Sequence, residues 1–355
     1  MPCGHGTVTN RRYDESNDIL FYKEMNSMRK YARKSVALLL AMLVLGVAAC
    51  GTEGEKQPQK ENTAGEQNPG DAVNQGGDVQ ENQGEDVAGN QDASGDKSDT
   101  TGAGDKSDAV TTVVLSDSGI TVNGTGCDVR ADRLKIEEAG TYEISGTLSN
   151  GYIYVNVDNE SEVHIILNGV KVHNDSSAAF FSKKAAKVTV TLAAGTENVF
   201  SDGATYVFEP EEDEPDATFF AKHDLVIEGE GTLKVIANYG DAIKGKDSLY
   251  INGGVIEIDA VDDGITGRDL LQINGGVITV RSESDAIKAS NDVDVSLGNV
   301  EINGGVITAI GDSDDVQAEN RVIINGGTLA LSAGEDGIQS ENGTEMNGGT
   351  VTKIK

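Results

Sequence analysis

The chain has 355 residues and a formal net charge of −31, with 59 acidic against 28 basic side chains. So acidic a surface repels a phosphate backbone and excludes nucleic acid as a partner. There is no Trp, so the flat indole platform that commonly stacks on sugar rings is missing, and three Cys do not make a disulfide framework.

Residues 1–50 read as an export segment. Arg29, Lys30, Arg33 and Lys34 form a basic start, and residues 36–47 are an apolar run too short to span a bilayer comfortably. The run ends in Val47-Ala48-Ala49-Cys50, a bacterial lipobox, in which small residues admit the signal peptidase and the Cys thiol takes a diacylglycerol. The expectation is a protein lipid-anchored through Cys50 on the extracellular face of the cell membrane. Residues 1–24 fit no leader, which points to translation starting at Met25 or Met28. Cys3 is then lost and Cys127 is the one thiol left, so no intramolecular disulfide is expected. Positions 1–49 hold seven basic and four acidic residues, so their removal takes the charge from −31 to −34.

Residues 51–109 read as a disordered acidic tether. They are Gly, Gln, Asn, Asp, Glu, Ser and Thr with few apolar side chains, and cannot bury enough surface to offset chain entropy. A self-repelling spacer after a lipidated Cys would hold a folded domain away from the membrane.

The folded domain is placed at residues 110–355. Alternating apolar positions predict strands over residues 141–148, 152–157 and 187–192, and two strands hinged at Asn168-Gly169 within residues 163–172. Residues 225–235 read as a divergent coil. The acidic run of residues 209–214 reads as a solvated bulge, and no helix is expected apart from a short N-terminal cap.

From Asp241 onward the chain repeats. Ile251-Asn252-Gly253-Gly254 recurs at Ile273, Ile302 and Ile324, then with Met at Met346, in steps of 22, 29, 22 and 22 residues. A second motif, Asp-x-Ile/Val, keeps the same beat at Asp241, Asp263, Asp285, Asp314 and Asp336. Two motifs with one period mark a stacked repeat. Apolar residues two apart flank each Asn-Gly-Gly, so one coil holds three short strands and three bends: an all-β, right-handed parallel β-helix. The seven extra residues of the long step fall near Asn291 to Gly298, in a bulging loop. The Asn column at Asn252, Asn274, Asn303, Asn325 and Asn347 reads as a structural asparagine ladder.

The run of residues 140–148, then Val163-His164-Ile165-Ile166-Leu167-Asn168-Gly169-Val170, residues 221–231 and the later Asp-Gly-Ile and Asn-Gly-Gly coils together resemble a family of bacterial cell-surface carbohydrate-binding proteins. The resemblance implies a β-helix similar to that of polysaccharide lyases, bound calcium, and plant cell-wall polysaccharides such as cellulose and pectin as partners. It departs from the pattern at the end, where Lys353 stands at an inward apolar position and no capping element follows, as in a C-terminally truncated member.

Five aspartates stacked at about 4.8 Å would repel by roughly 3 kcal/mol per adjacent pair at an effective dielectric near 20. Two readings answer that repulsion. Either Ca²⁺ bridges carboxylates of adjacent coils, with Asp241, Asp262, Asp263, Asp285, Asp314, Asp315, Glu335 and Asp336 as candidate ligands, or each Asp caps its own turn and splays into water. Lys244, Lys288 and Arg268 lie beside this column and, with Tyr239, are candidate polysaccharide contacts. Calcium-dependent lyases of the resembled fold use a Lys or Arg base, a role open to those same three residues. A Lys among carboxylates has its pKa raised, however, which argues against a base. Three functions follow from these residues: a non-catalytic, calcium-containing binder of acidic or cellulosic polysaccharide, a pectate-type lyase, and a structural or adhesive surface protein.

Overall fold

A computed structural model describes residues 109–208, 213–332 and 334–354. The leader, Cys50 and the tether up to residue 108 lie outside the described residues, as do Glu209 to Glu212. Among the described residues every regular element is a strand. The N-terminal end is closed by two short antiparallel strands, where the sequence suggested a helical cap: Thr121–Asn123 pairs with Thr111–Leu115, and Cys127–Val129 with Arg133–Ile136. Extended strand residues and Gly-rich turns supply no amphipathic 3.6-residue pattern for a helix to form on.

The strands stack in parallel with a coil-to-coil register. Ten of them form one sheet, which runs from Cys127–Val129 through Ala217–Ala221, Asp241–Gly245, Ile265–Gly267 and Ile287–Ala289 to Asp336–Ser340. The other two strands of each coil make two further rows. Ser248–Ile251, Leu270–Ile273, Asn299–Ile302, Val322–Ile324 and Thr344–Met346 form one, and Val255–Ala260, Val277–Ser282, Val306–Gly311, Thr328–Leu331 and Thr350–Lys353 the other. Ile251 stands beside Ile273, then Ile302, Ile324 and Met346, so the sequence period is the register of the stack.

Inward residues of all three rows meet in one core. Four of the five apolar members of Asp-x-Ile/Val, Ile243, Ile265, Ile287 and Val316, are fully buried, and the last, Ile338, is half-buried. Toward the N-terminal half Phe180, Phe200 and Phe219 fill the same space, Phe180 and Phe219 stacked with centroids 4.0 Å apart. At each Asn-Gly-Gly bend the second Gly adopts a positive φ, 90° at Gly254 and 94° at Gly305, which a side chain would strain. The Asn side chains bond up the stack: Nδ2 of Asn274, Asn303, Asn325 and Asn347 donates to Oδ1 of the Asn one coil before at 2.8–2.9 Å.

Residues 163–172 form part of one continuous strand, Glu162–Asn174, where two had been expected. Its first half pairs with Lys187–Leu192 and its second with Glu197–Asp202, so the hinge lies in the pairing. Gly169 takes φ 78°, and the fully buried Asn198 accepts the Gly169 and Val170 amides at 3.0 and 2.9 Å. The long coil loops out between Ala289 and Asn299. Its neck is tied by Asn291, whose Oδ1 accepts the Val293 and Asp294 amides. In the last coil Thr344–Met346 and Thr350–Lys353 are exposed throughout, with Lys353 beside Leu331.

Of the acidic run only Asp213 and Glu214 are described, and Asp213 is exposed as a solvated bulge would have it, but Glu214 is not free in solvent. Glu214 lies 2.6 Å from Lys222 and also pairs with Lys246, because lysines from two successive coils converge on it.

Truncating Ile287 to Ala removes a side chain that is fully buried and in register with Ile265 and Val316. Ile287→Ala is expected to destabilise the domain by about 2–5 kcal/mol. Denaturant unfolding checks this, and a loss below about 1 kcal/mol would mean that the stack closes around the gap.

Candidate functional site

The five aspartates stand in one file at the entry to successive strands of the ten-stranded sheet. Each of the first four carboxylates accepts the backbone N–H of the aspartate one coil on: Asp241 Oδ1 from Asp263 at 3.2 Å, Asp263 from Asp285 at 3.0 Å, Asp285 from Asp314 at 3.1 Å and Asp314 from Asp336 at 3.1 Å. Asp241, Asp263 and Asp285 are buried, Asp314 is half-buried and Asp336 exposed. The amide ladder orients each carboxylate along the stack and leaves its charge to be met from elsewhere.

Two lysines meet it. Lys244 Nζ lies 2.7 Å from Asp216 Oδ2 and 2.9 Å from Asp241 Oδ2. The second contact is off the line of a hydrogen bond, so it is one of charge. Lys288 Nζ lies 2.7 Å from Asp285 Oδ2 and 3.0 Å from Asp263 Oδ2. Burial by itself would depress Lys244, but the charges of Asp241 and Asp216 outweigh it and hold the ammonium above the ordinary lysine range. For Lys288 the bond to Asp285 and the charge of Asp263 likewise outweigh burial. Burial raises Asp241, opposed by Lys244 and reinforced by Asp263. Partial burial and the charge of Asp263 raise Asp262, although its outer side is exposed.

Asp241, Asp262 and Asp263 each present a carboxylate oxygen such that all three lie within 4.8 Å of one another. Three anionic oxygens this close suit a hard divalent cation, and Oδ2 of buried Asp241, although 2.9 Å from the Lys244 ammonium, makes no well-aligned hydrogen bond. The donor set therefore fits calcium, and the ammonium groups of Lys244 and Lys288 lie 2.9 and 3.0 Å from two of its carboxylates.

The remaining sequence candidates are dispersed. Asp285 is held by Lys288 and the Asp314 amide. Asp315 is fully buried and its Oδ1 accepts the Gly311 amide and Ser332 Oγ. Glu335 is exposed in the turn before Asp336. Arg268 lies beyond the far end of its strand, where its backbone N–H meets Gly245 and its guanidinium meets Asp269 at 3.3 Å. Tyr239, just before Asp241, is 37 % exposed and stacks on Tyr206 with centroids 4.1 Å apart. Tyr206 donates to buried Asp202, which also accepts Thr218 and the Asn238 amide.

One member of the site, Asp216, had no sequence signal, whereas Thr266 keeps the beat, three residues after Asp263 as Lys244 is after Asp241. Asp216 lies outside the 22-residue beat, and nothing local shows that it shares Lys244. Thr266 occupies the register position between Lys244 and Lys288. It is 1 % exposed, with no partner for its hydroxyl. Gln317 and Gln339 continue the same column, each with an unpartnered buried Oε1.

Known proteins are similar to this chain in sequence and, in one solved case, in fold. A family model described as "Carbohydrate-binding domain-containing protein" matches residues 130–335. A protein of that description from Acetivibrio thermocellus is 37 % identical over 139 residues, 39 % of this chain and 49 % of its own, so the match spans about half of that relative. A solved structure described as a polysaccharide lyase-like protein from C. thermocellum, gadolinium derivative, is 32 % identical with a TM-score of 0.65, over 68 % of this chain and all of the other.

A carboxyl held above its unfolded pKa keeps its proton longer in the fold, so stability falls as pH rises above the ordinary value of 3.8. With calcium chelated, Asp241→Asn is therefore expected to gain stability relative to the native chain between about pH 4 and pH 8. Its amide oxygen still accepts the Asp263 N–H. Urea unfolding across that range checks the sign, and a difference constant with pH would contradict it.

Proposed function

Because the chain belongs to the carbohydrate-binding-domain family, we propose that its coils hold a plant cell-wall-type polysaccharide, pectate or cellulose, without cleaving it. Calcium held by Asp241, Asp262 and Asp263 would mediate the contact. The observation that carries this reading is the convergence of three carboxylate oxygens within 4.8 Å on a surface otherwise too acidic to attract a uronate chain. Calcium takes six to eight oxygens, so three carboxylates leave room for water and for sugar carboxylate or hydroxyl oxygens. Tyr239 stands two residues before Asp241 with its ring part-exposed and stacked on Tyr206, and its other face would offer a sugar an aromatic contact. The coils wind right-handed in this reading, the hand that parallel crossovers favour.

A lyase reading draws on Lys244 and Lys288, two coils apart on one face. Their chemistry opposes it. A general base needs an unprotonated nitrogen, and each of these lysines is held protonated by two carboxylates. Anchoring through Cys50 would present the domain at the cell surface, with residues 51–109 as the tether.

Retention on insoluble pectate and cellulose tests the proposal. Binding is expected with calcium and is expected to weaken with EDTA. Asp262→Asn should reduce calcium-dependent retention by about tenfold or more, because ligand charge count tunes calcium affinity. Unsaturated uronate products, seen as ultraviolet absorbance and lost in Lys288→Ala, would establish the lyase instead. No retention on any glycan would leave a structural or adhesive surface role.

A further inference from the structure

Each of the two lysines at the carboxylate cluster has one partner inside it and one outside. Lys244 joins Asp241 of the cluster to Asp216, and Lys288 joins Asp263 of the cluster to Asp285. In both cases the outside contact is the shorter, 2.7 Å against 2.9 and 3.0 Å, and at Asp241 the inside contact is not a hydrogen bond. Between them, in register, stands Thr266, with its hydroxyl buried and unpaired. No ammonium group arises from that strand.

From this geometry we infer that Lys244 and Lys288 are resident competitors for the cation, which occupy the cluster in its absence and withdraw onto Asp216 and Asp285 when it enters. The inference rests on the calcium reading above. A lysine with a single carboxylate would be left unpaired and half-buried by an incoming ion, at a large desolvation penalty. A lysine with a second carboxylate already at 2.7 Å pays no such penalty, because it gives up its weaker contact and keeps its stronger one. The Asp ladder is therefore neutralised in part whether or not a divalent ion is bound, and the ion must displace two positive charges to bind.

Calcium titration calorimetry on the full chain tests the exchange. Lys244→Met with Lys288→Met removes both competitors and is expected to tighten calcium binding by about tenfold or more. Asp216→Asn removes the refuge of Lys244 and leaves the cluster whole. It is expected to weaken calcium binding in the native background and to have no effect in the Lys244→Met background. A general loss of negative charge would act equally in both backgrounds, so an effect of Asp216→Asn that persists beside Lys244→Met overturns the inference, as does a double lysine variant that binds calcium no more tightly than the native chain. If the native chain takes up no calcium but the double variant does, the calcium reading fails and the competition stands; if neither does, both fall. Nitrogen-detected NMR of the lysine ammonium groups gives a readout independent of affinity, and both signals are expected to shift on calcium addition.

Discussion

The carboxylate-to-amide hydrogen bond that joins each ladder aspartate to the next coil is the contact on which the site depends. It fixes the vertical registration of five acidic residues at the spacing of stacked strands, and the same registration carries the isoleucines into the core and the asparagines into their own ladder. A parallel stack cannot align its apolar residues without also aligning its charges. Like charges at that spacing repel, so the face where they accumulate must also gather countercharge. Lys244 and Lys288, each set between two carboxylates, answer that electrostatic demand.

How much of this the amino-acid sequence discloses depends on whether a feature repeats. The Ile-Asn-Gly-Gly and Asp-x-Ile motifs state the period twice over, and the pairing of Ile251 with Ile273, Ile302, Ile324 and Met346 follows it coil by coil. The parallel stacking, the three strands of each coil, the inward isoleucines and the place of the extra loop were all legible for that reason. Where the repeat loosens, so does the reading. Glu162–Asn174 looks like two strands because Gly169 interrupts the alternation, while its continuity comes from Asn198, a distant residue that fills the bend. The acidic run ahead of Ala217 looks solvated because local composition carries no sign of Lys222 and Lys246, which reach Glu214 from separate coils.

The site shows the same division. The alignment of the aspartates is periodic and could be read, whereas the partners that give each one its chemistry are not. Lys244 follows Asp241 by three residues, but Asp216, its shorter contact, belongs to the preceding coil and to no motif. Arg268 is close to the file in sequence and lies at the other end of its strand in space, since three or four extended residues carry the chain across the sheet. Aspartates that look equivalent in the repeat differ because burial declines along the file from Asp241 to Asp336.

The loop between Ala289 and Asn299 bears on how such a chain can diversify. Seven residues enter one corner, Asn291 closes the neck behind them, and the strands on either side keep their partners. Lengthening a loop whose ends are already pinned adds little closure entropy. Corners of the stack are thus ports at which new surface can be grafted without retuning the scaffold, and inherited variation in these proteins should collect there while the flat faces stay uniform.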